Sequence, residues 1–149
     1  MPDPADARAS AMDLLARREH SERELSRKLA SRGYAADVIE ATVAGLIADE
    51  LLSNSRFTES FVHSRYQRGQ GPQKIRAGLR ERGIDDNTID TCLDDYTGQW
   101  RELLASVRLK KFGAAMPANF RERSRQMRFL QQRGFTPEQI ASAFHDDDA

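Results

Sequence analysis

Ten basic side chains carry most of the chemistry this sequence offers. Lys74, Arg76, Arg80 and Arg82 fall on one helical segment, Arg65 and Arg68 close the segment before it, and Arg121, Arg123, Arg125 and Arg128 crowd a later one. Guanidinium and ammonium groups at helical spacing suit phosphate backbones or an acidic protein groove. A single arginine of this kind is ordinary helix surface. The set is not, because solvated faces mix signs. Residues 56–82 hold 7 cations against Glu59 and Glu81, and residues 101–133 hold 9 against Glu102 and Glu122. The intervening stretches, 33–55, 83–100 and 134–149, contain 4, 5 and 4 carboxylates and no cation. A formal net charge of zero therefore hides a chain polarised along its length.

Other chemistries find little support. His20, His63 and His145 have no metal-ligand spacing and no cysteine pair nearby, and read as surface or cap residues. Cys92 is the single cysteine, so no intramolecular disulfide can form; it reads as a small packed residue in a reducing compartment. Gly69-x-Gly71 lacks a third glycine and a preceding strand, and no Walker-type lysine follows a glycine loop, which argues against nucleotide binding. Adjacent carboxylates such as Asp94 and Asp95 point apart on a helix, against a metal-dependent nuclease. Tyr66 and Phe57 read as core, which leaves few aromatics for base stacking. The expectation is no catalytic residue, no metal and no cofactor.

The elements that position the cations come from a thrice-used pattern. Leu25-x-x-x-Leu29, Ile75-x-x-x-Leu79 and Met127-x-x-Leu130 each run to an Arg-Gly step at Gly33, Gly83 and Gly134, followed by Tyr34, Ile84 or Phe135. Six residues past each glycine stands Ile39, Ile89 or Ile140, and ten past stands Val43, Leu93 or Phe144. That spacing is one apolar helical face, and a period of about 50 residues marks stacked helical units. The chain is all-α: three tandem three-helix repeats over 6–50, 53–97 and 98–145, with an acidic tail at 146–149. Units too small to enclose a full core bury their faces against neighbours, which gives a rod or crescent. With 39% hydrophobic and 31% charged residues there is much helix surface, and no run approaches a membrane span, so the expected location is cytosolic.

In order, residues 1–5 should fray and a first helix run from Asp6 to Arg18. Ser21 with Glu24 forms a capping box for the second, and the third spans Ala36 to Asp49. Ser53 or Asn54 caps the fourth, Pro72 opens the fifth, and the sixth runs from Asp86 to Tyr96. Helices from Trp100 to Phe112, Asn119 to Arg133 and Pro137 to His145 complete the chain, with a loop at 113–117.

Arg56-Phe57-x-Glu59-x-Phe61-Val62-x-x-Arg65, then Gly69-x-Gly71-Pro72-x-x-Ile75-x-x-x-Leu79-x-x-x-Gly83-Ile84, preceded by Asp49-Glu50-x-Leu52-Ser53, resembles the central signature of the RecX family of bacterial regulatory proteins. The resemblance covers almost the whole chain. Two positions depart from it: Asn54 stands where Asp is common, and Gln126 replaces an apolar residue. The resemblance implies an elongated, curved body that binds the groove of the RecA–DNA filament and inhibits the RecA recombinase and its ATPase. It thereby implies modulation of recombination and the SOS response. Partners would be the RecA filament and DNA of either strandedness without sequence preference; no membrane is involved and a monomer is expected. The alternative from the residues alone is an autonomous helix-turn-helix-like DNA-binding protein.

Overall fold

A computed structural model describes residues 3–144, and among them every regular element is an α-helix. The first triplet is α1 (Pro4–Arg17), α2 (Glu22–Ser31) and α3 (Ala36–Ala48); the second is α4 (Asn54–Gln67), α5 (Pro72–Glu81) and α6 (Asp86–Asp94); the third is α7 (Trp100–Phe112), α8 (Phe120–Gln132) and α9 (Pro137–Ala143). The start of the chain departs from expectation. Asp3 caps α1 by accepting from the Asp6 amide at 3.0 Å, so helix begins at Pro4 where fraying was expected. His145 and the acidic tail lie outside the described residues.

Each second helix ends in the same way, and the hydrogen bonds say why Arg-Gly recurs. The amides of Gly33, Gly83 and Gly134 donate to the carbonyls of Ala30, Arg80 and Gln131, each at 3.0 Å. The next amides, of Tyr34, Ile84 and Phe135, reach back to Leu29, Leu79 and Leu130 at 3.3, 3.1 and 3.2 Å. This is a Schellman-type stop, in which glycine takes the left-handed conformation and the flanking apolar residues can meet. The third helix then starts with its apolar face already aimed inward. Ile39, Ile89 and Ile140 are all buried, as are Leu93 and Phe144.

Residues 3–60 pack together with Leu79–Ile89 as one compact unit, and Phe61–Gly78 with residues 90–144 as another. The first contains the core of α1–α3, built on Leu14, Leu25, Leu29, Ile39, Leu46 and Leu52. In the same unit Ser53 caps α4, its Oγ accepting from the Arg56 amide at 3.1 Å, while Asn54 Oδ1 accepts from the Glu22 amide at the start of α2 at 2.8 Å. The second contains the core of α7–α9, built on Leu104, Leu130, Phe135, Ile140 and Phe144. There Gln126 is buried, and its Oε1 accepts from Arg108 Nε at 3.0 Å. Arg108 also donates to the Ala115 carbonyl at 2.9 Å and lies over the Phe144 ring. A charge-assisted bond thus satisfies the amide where an apolar contact was expected to be missing.

His20 is a second correction: it is buried, not at the surface. Its Nδ1 lies 3.1 Å from the Arg18 carbonyl and its Nε2 2.8 Å from Lys28 Nζ. These partners set the tautomer, with Nδ1–H donating and Nε2 accepting from the ammonium. Burial lowers its pKa most, the Arg18 carbonyl opposes this, and the charges of Arg18 and Lys28 lower it further. The folded pKa therefore lies below the unfolded one. Neutral His20 contributes stability that is fully present above the unfolded value and is lost as pH falls from there through the folded value. As pH falls below the unfolded value of about 6.5, the wild-type unfolding free energy should fall, by no more than about 1.4 kcal/mol per pH unit from this proton. His20→Gln should flatten that slope in urea titrations. Equal slopes in the two proteins would rule His20 out as the source.

Candidate functional site

The ten basic residues divide sharply once they are in place. Arg80 Nε is 2.9 Å from Asp86 Oδ1 and Arg76 Nη2 is 2.6 Å from Asp90 Oδ1, so α5 is paired to α6. Arg82 Nε meets Glu24 at 3.4 Å, and Arg125 meets Glu122 at 3.0 Å. The hydrogen bonds from Arg125 hold the Glu122 carboxyl below its ordinary range. Arg65 lies 4.5 Å over the Phe61 ring, and Arg123 donates to the Phe144 carbonyl at 3.3 Å. The remaining four, Arg68, Lys74, Arg121 and Arg128, are exposed, and among the described residues no carboxylate pairs with them. Charge that is segregated along the sequence is thus partly neutralised in space, by pairs that add little stability but occupy their cations.

Within the second unit the structure groups Arg68 with three cations that sequence reading did not single out. Arg68 at the end of α4, Lys110 and Lys111 in the last turn of α7, and Arg133 just after α8 line one cleft of about 310 Å³. Among the described residues no acidic one lines it. Its apolar wall is Leu103, Val107 and Phe129. Lys111 Nζ and the Arg133 guanidinium lie 5.4 and 5.5 Å from the centre of the Phe129 ring, which holds both beside the cleft. A neighbouring cleft of about 210 Å³ shares Lys111 and Phe129 and adds Arg125 and Arg128.

Glycines make this assembly possible. Gly69, with φ near +80°, ends α4 where a Cβ would stand 2.9 Å from the Val107 methyl, so the chain lies against α7. Farther on, the Gly71 amide donates to the Arg133 carbonyl at 2.7 Å and the Gln73 amide to the Gly134 carbonyl at 2.9 Å. Arg133 Nη1 in turn reaches the Arg68 carbonyl at 3.4 Å. The Arg-Gly step that stops α8 is thus also the strap that brings Arg133 to the end of α4.

Metal chemistry has no visible seat: among the described residues no three His, Cys, Asp or Glu side chains are placed to hold an ion. No described helix is long and apolar enough to cross a membrane.

Comparison with known proteins gives consistent matches. The chain matches three family descriptions in order: RecX, first three-helix domain, over residues 7–46; RecX, second three-helix domain, over 53–93; and RecX, third three-helix domain, over 99–144. It is 46% identical over 143 residues to the regulatory protein RecX of Halorhodospira halophila, covering 95% of this chain and 89% of that one. The regulatory protein RecX of Pseudomonas fluorescens Pf-5 is 46% identical over 134 residues, with 90% and 86% covered. The crystal structure of RecX from Lactobacillus salivarius superposes with a TM-score of 0.79 at 22% identity, covering 93% and 92% of the two chains. A second crystal structure, of a regulatory protein RecX, gives 0.78 at 23% identity, with 95% and 72% covered. At such identities the structural likeness speaks for the fold.

Proposed function

The chain belongs to the RecX family, and from that premise we propose that it regulates a RecA recombinase by attaching to the RecA–DNA filament. In this reading it occupies the filament groove, obstructs strand exchange and ATP turnover, and so modulates recombination and the SOS response. It makes and breaks no bond. It acts in the cytosol as a monomer and contacts both recombinase and DNA.

The observation that supports attachment through charge is the set of cations that no carboxylate of the described residues pairs with: Arg68, Lys74, Arg121 and Arg128, joined by Lys110, Lys111 and Arg133. Contacts spread over two repeats of one chain act together once the first has formed, so individually weak contacts suffice. An autonomous helix-turn-helix reading would need the cations of a second helix free to enter a groove. In α5, Arg76 and Arg80 are instead tied to Asp90 and Asp86.

Co-sedimentation tests the reading directly. RecA filaments assembled on DNA with a slowly hydrolysed nucleotide analogue should carry the protein into the pellet, and neither free RecA nor DNA alone should do so as efficiently at physiological salt. Sequence-selective pelleting with DNA alone would favour the alternative. Failure to pellet with filaments would remove the proposal.

A further inference from the structure

We propose that Lys28 is a site of covalent acylation, its Nζ taking the acyl group of an acyl phosphate while His20 orients the amine and accepts its proton. The inference concerns this chain alone and does not rest on the recombinase reading. In the step, Nζ adds to the carbonyl carbon, a C–N bond forms, and the C–O bond to phosphorus-bound oxygen breaks. Inorganic phosphate leaves with the electron pair. The proton that the nitrogen sheds passes to His20 Nε2 and from there to the departing phosphate.

The first argument is the hydrogen bond between the two side chains. His20 is buried and its Nδ1–H is committed to the Arg18 carbonyl at 3.1 Å, so Nε2 can only accept. Lys28 Nζ, 2.8 Å from Nε2, is therefore the donor whether it is charged or neutral. A neutral amine that gives one N–H to the ring keeps its lone pair free and turned away from it. A carboxylate partner would instead hold the ammonium charged. Glu24 is the acid at hand, and Arg18 and Arg82 engage it at 3.1 and 3.4 Å. Among the described residues no carboxylate pairs with Lys28. The second argument is the surroundings. Burial lowers the pKa of Lys28 most, the charges of Arg18, Arg32 and Arg17 lower it further, and Glu24 opposes them. Desolvation beside other cations is what makes a lysine nucleophilic. The third is access and attraction. Lys28 is only half-buried, and Arg17 and Arg32 are exposed guanidinium groups that suit the phosphate of the incoming reagent.

The chain carries its own controls, because Lys74, Lys110 and Lys111 are its other lysines and all are exposed. The test is incubation of the full chain with acetyl phosphate at neutral pH, with each lysine followed by peptide mass spectrometry. Lys28 should be acetylated at least about threefold faster than any of the others. Competitive labelling of the wild type with acetic anhydride should show the Lys28 reaction setting in at lower pH than theirs. His20→Gln can accept the hydrogen bond but not the proton, and should slow Lys28 by about threefold or more while leaving the others unchanged. Circular dichroism checks that this variant is folded; if it is not, the wild-type labelling decides alone. Arg17→Ala, at an exposed position, should slow the reaction with acetyl phosphate more than that with an N-acetylcysteamine thioester, which carries no phosphate. The proposal is overturned if an exposed lysine reacts as fast as Lys28, if Lys28 labels at the same pH as the others, or if folded His20→Gln reacts like wild type. A thioester that acetylates Lys28 more selectively than acetyl phosphate does would leave the guanidinium groups without a role and likewise overturn it.

Discussion

Gly71→Ala should lower the unfolding free energy of the unit that contains it by about 3 to 5 kcal/mol, the combined effect of overpacking and two lost backbone hydrogen bonds. A Cβ at Gly71 would stand 2.5 Å from both the Gly134 carbonyl oxygen and the Phe135 nitrogen. Both are backbone atoms, so no side-chain rotation relieves the overlap. The two segments must separate, and with them go the bonds from the Gly71 amide to Arg133 at 2.7 Å and from the Gln73 amide to Gly134 at 2.9 Å. Each such bond is worth about 1 kcal/mol, and forced overpacking costs about 1 to 3 more. Gly45→Ala supplies the contrast. Gly45 lies inside α3 with only Arg8 Nη1, at 3.5 Å, near the new methyl group. There the alanine should stabilise by about 0.5 to 1 kcal/mol through helix propensity. Urea titration followed by far-ultraviolet circular dichroism reads both changes, and Trp100 fluorescence reports on the unit that holds Gly71. A loss below about 1 kcal/mol for Gly71→Ala would show that the strap can give way cheaply.

The same strap shows where sequence reading stops. Helix order, the Ser21 capping box and the three buried isoleucines follow from local spacing, because each depends on residues within a turn or two of one another. Even the pairing of α5 with α6 leaves a trace in the sequence. Arg80 with Asp86 and Arg76 with Asp90 lie symmetrically about Gly83, three and seven residues to either side. A glycine stop that sends the chain back beside itself brings such positions together, so the separation of basic and acidic blocks along the chain was itself a sign of pairing in space. The cleft left no comparable trace. It depends on Arg133 reaching the Arg68 carbonyl across 65 residues, and on two glycines whose contact has no local signature. His20 was misread for a related reason, and Gln126 shows the same device. A polar residue can be buried when a cation one or two turns or one helix away, Lys28 or Arg108, completes its hydrogen bonding.

Replacing Arg68, Lys74, Arg121 and Arg128 together by glutamate should weaken inhibition of RecA-dependent strand exchange on the order of a hundredfold, if attachment runs through cations that no described carboxylate occupies. The four lie on exposed positions, so reversing them disturbs no ion pair of the described residues. Each cation that touches a phosphate adds about one counterion to the salt dependence, so the variant should also lose several units of the slope of affinity against salt. Arg76→Gln with Arg80→Gln is the matched comparison. Those two guanidinium groups already face Asp90 and Asp86, at 2.6 and 2.9 Å. Freeing them for a filament would strand two carboxylates beside the contact, and the net gain in attraction would be small. Their loss should change inhibition by less than about threefold while lowering stability by about 1 kcal/mol or less. The reverse ranking, with the α5 pair dominant and the four exposed cations dispensable, would mean that the ion pairs open on binding. The contact surface would then be the α5–α6 face.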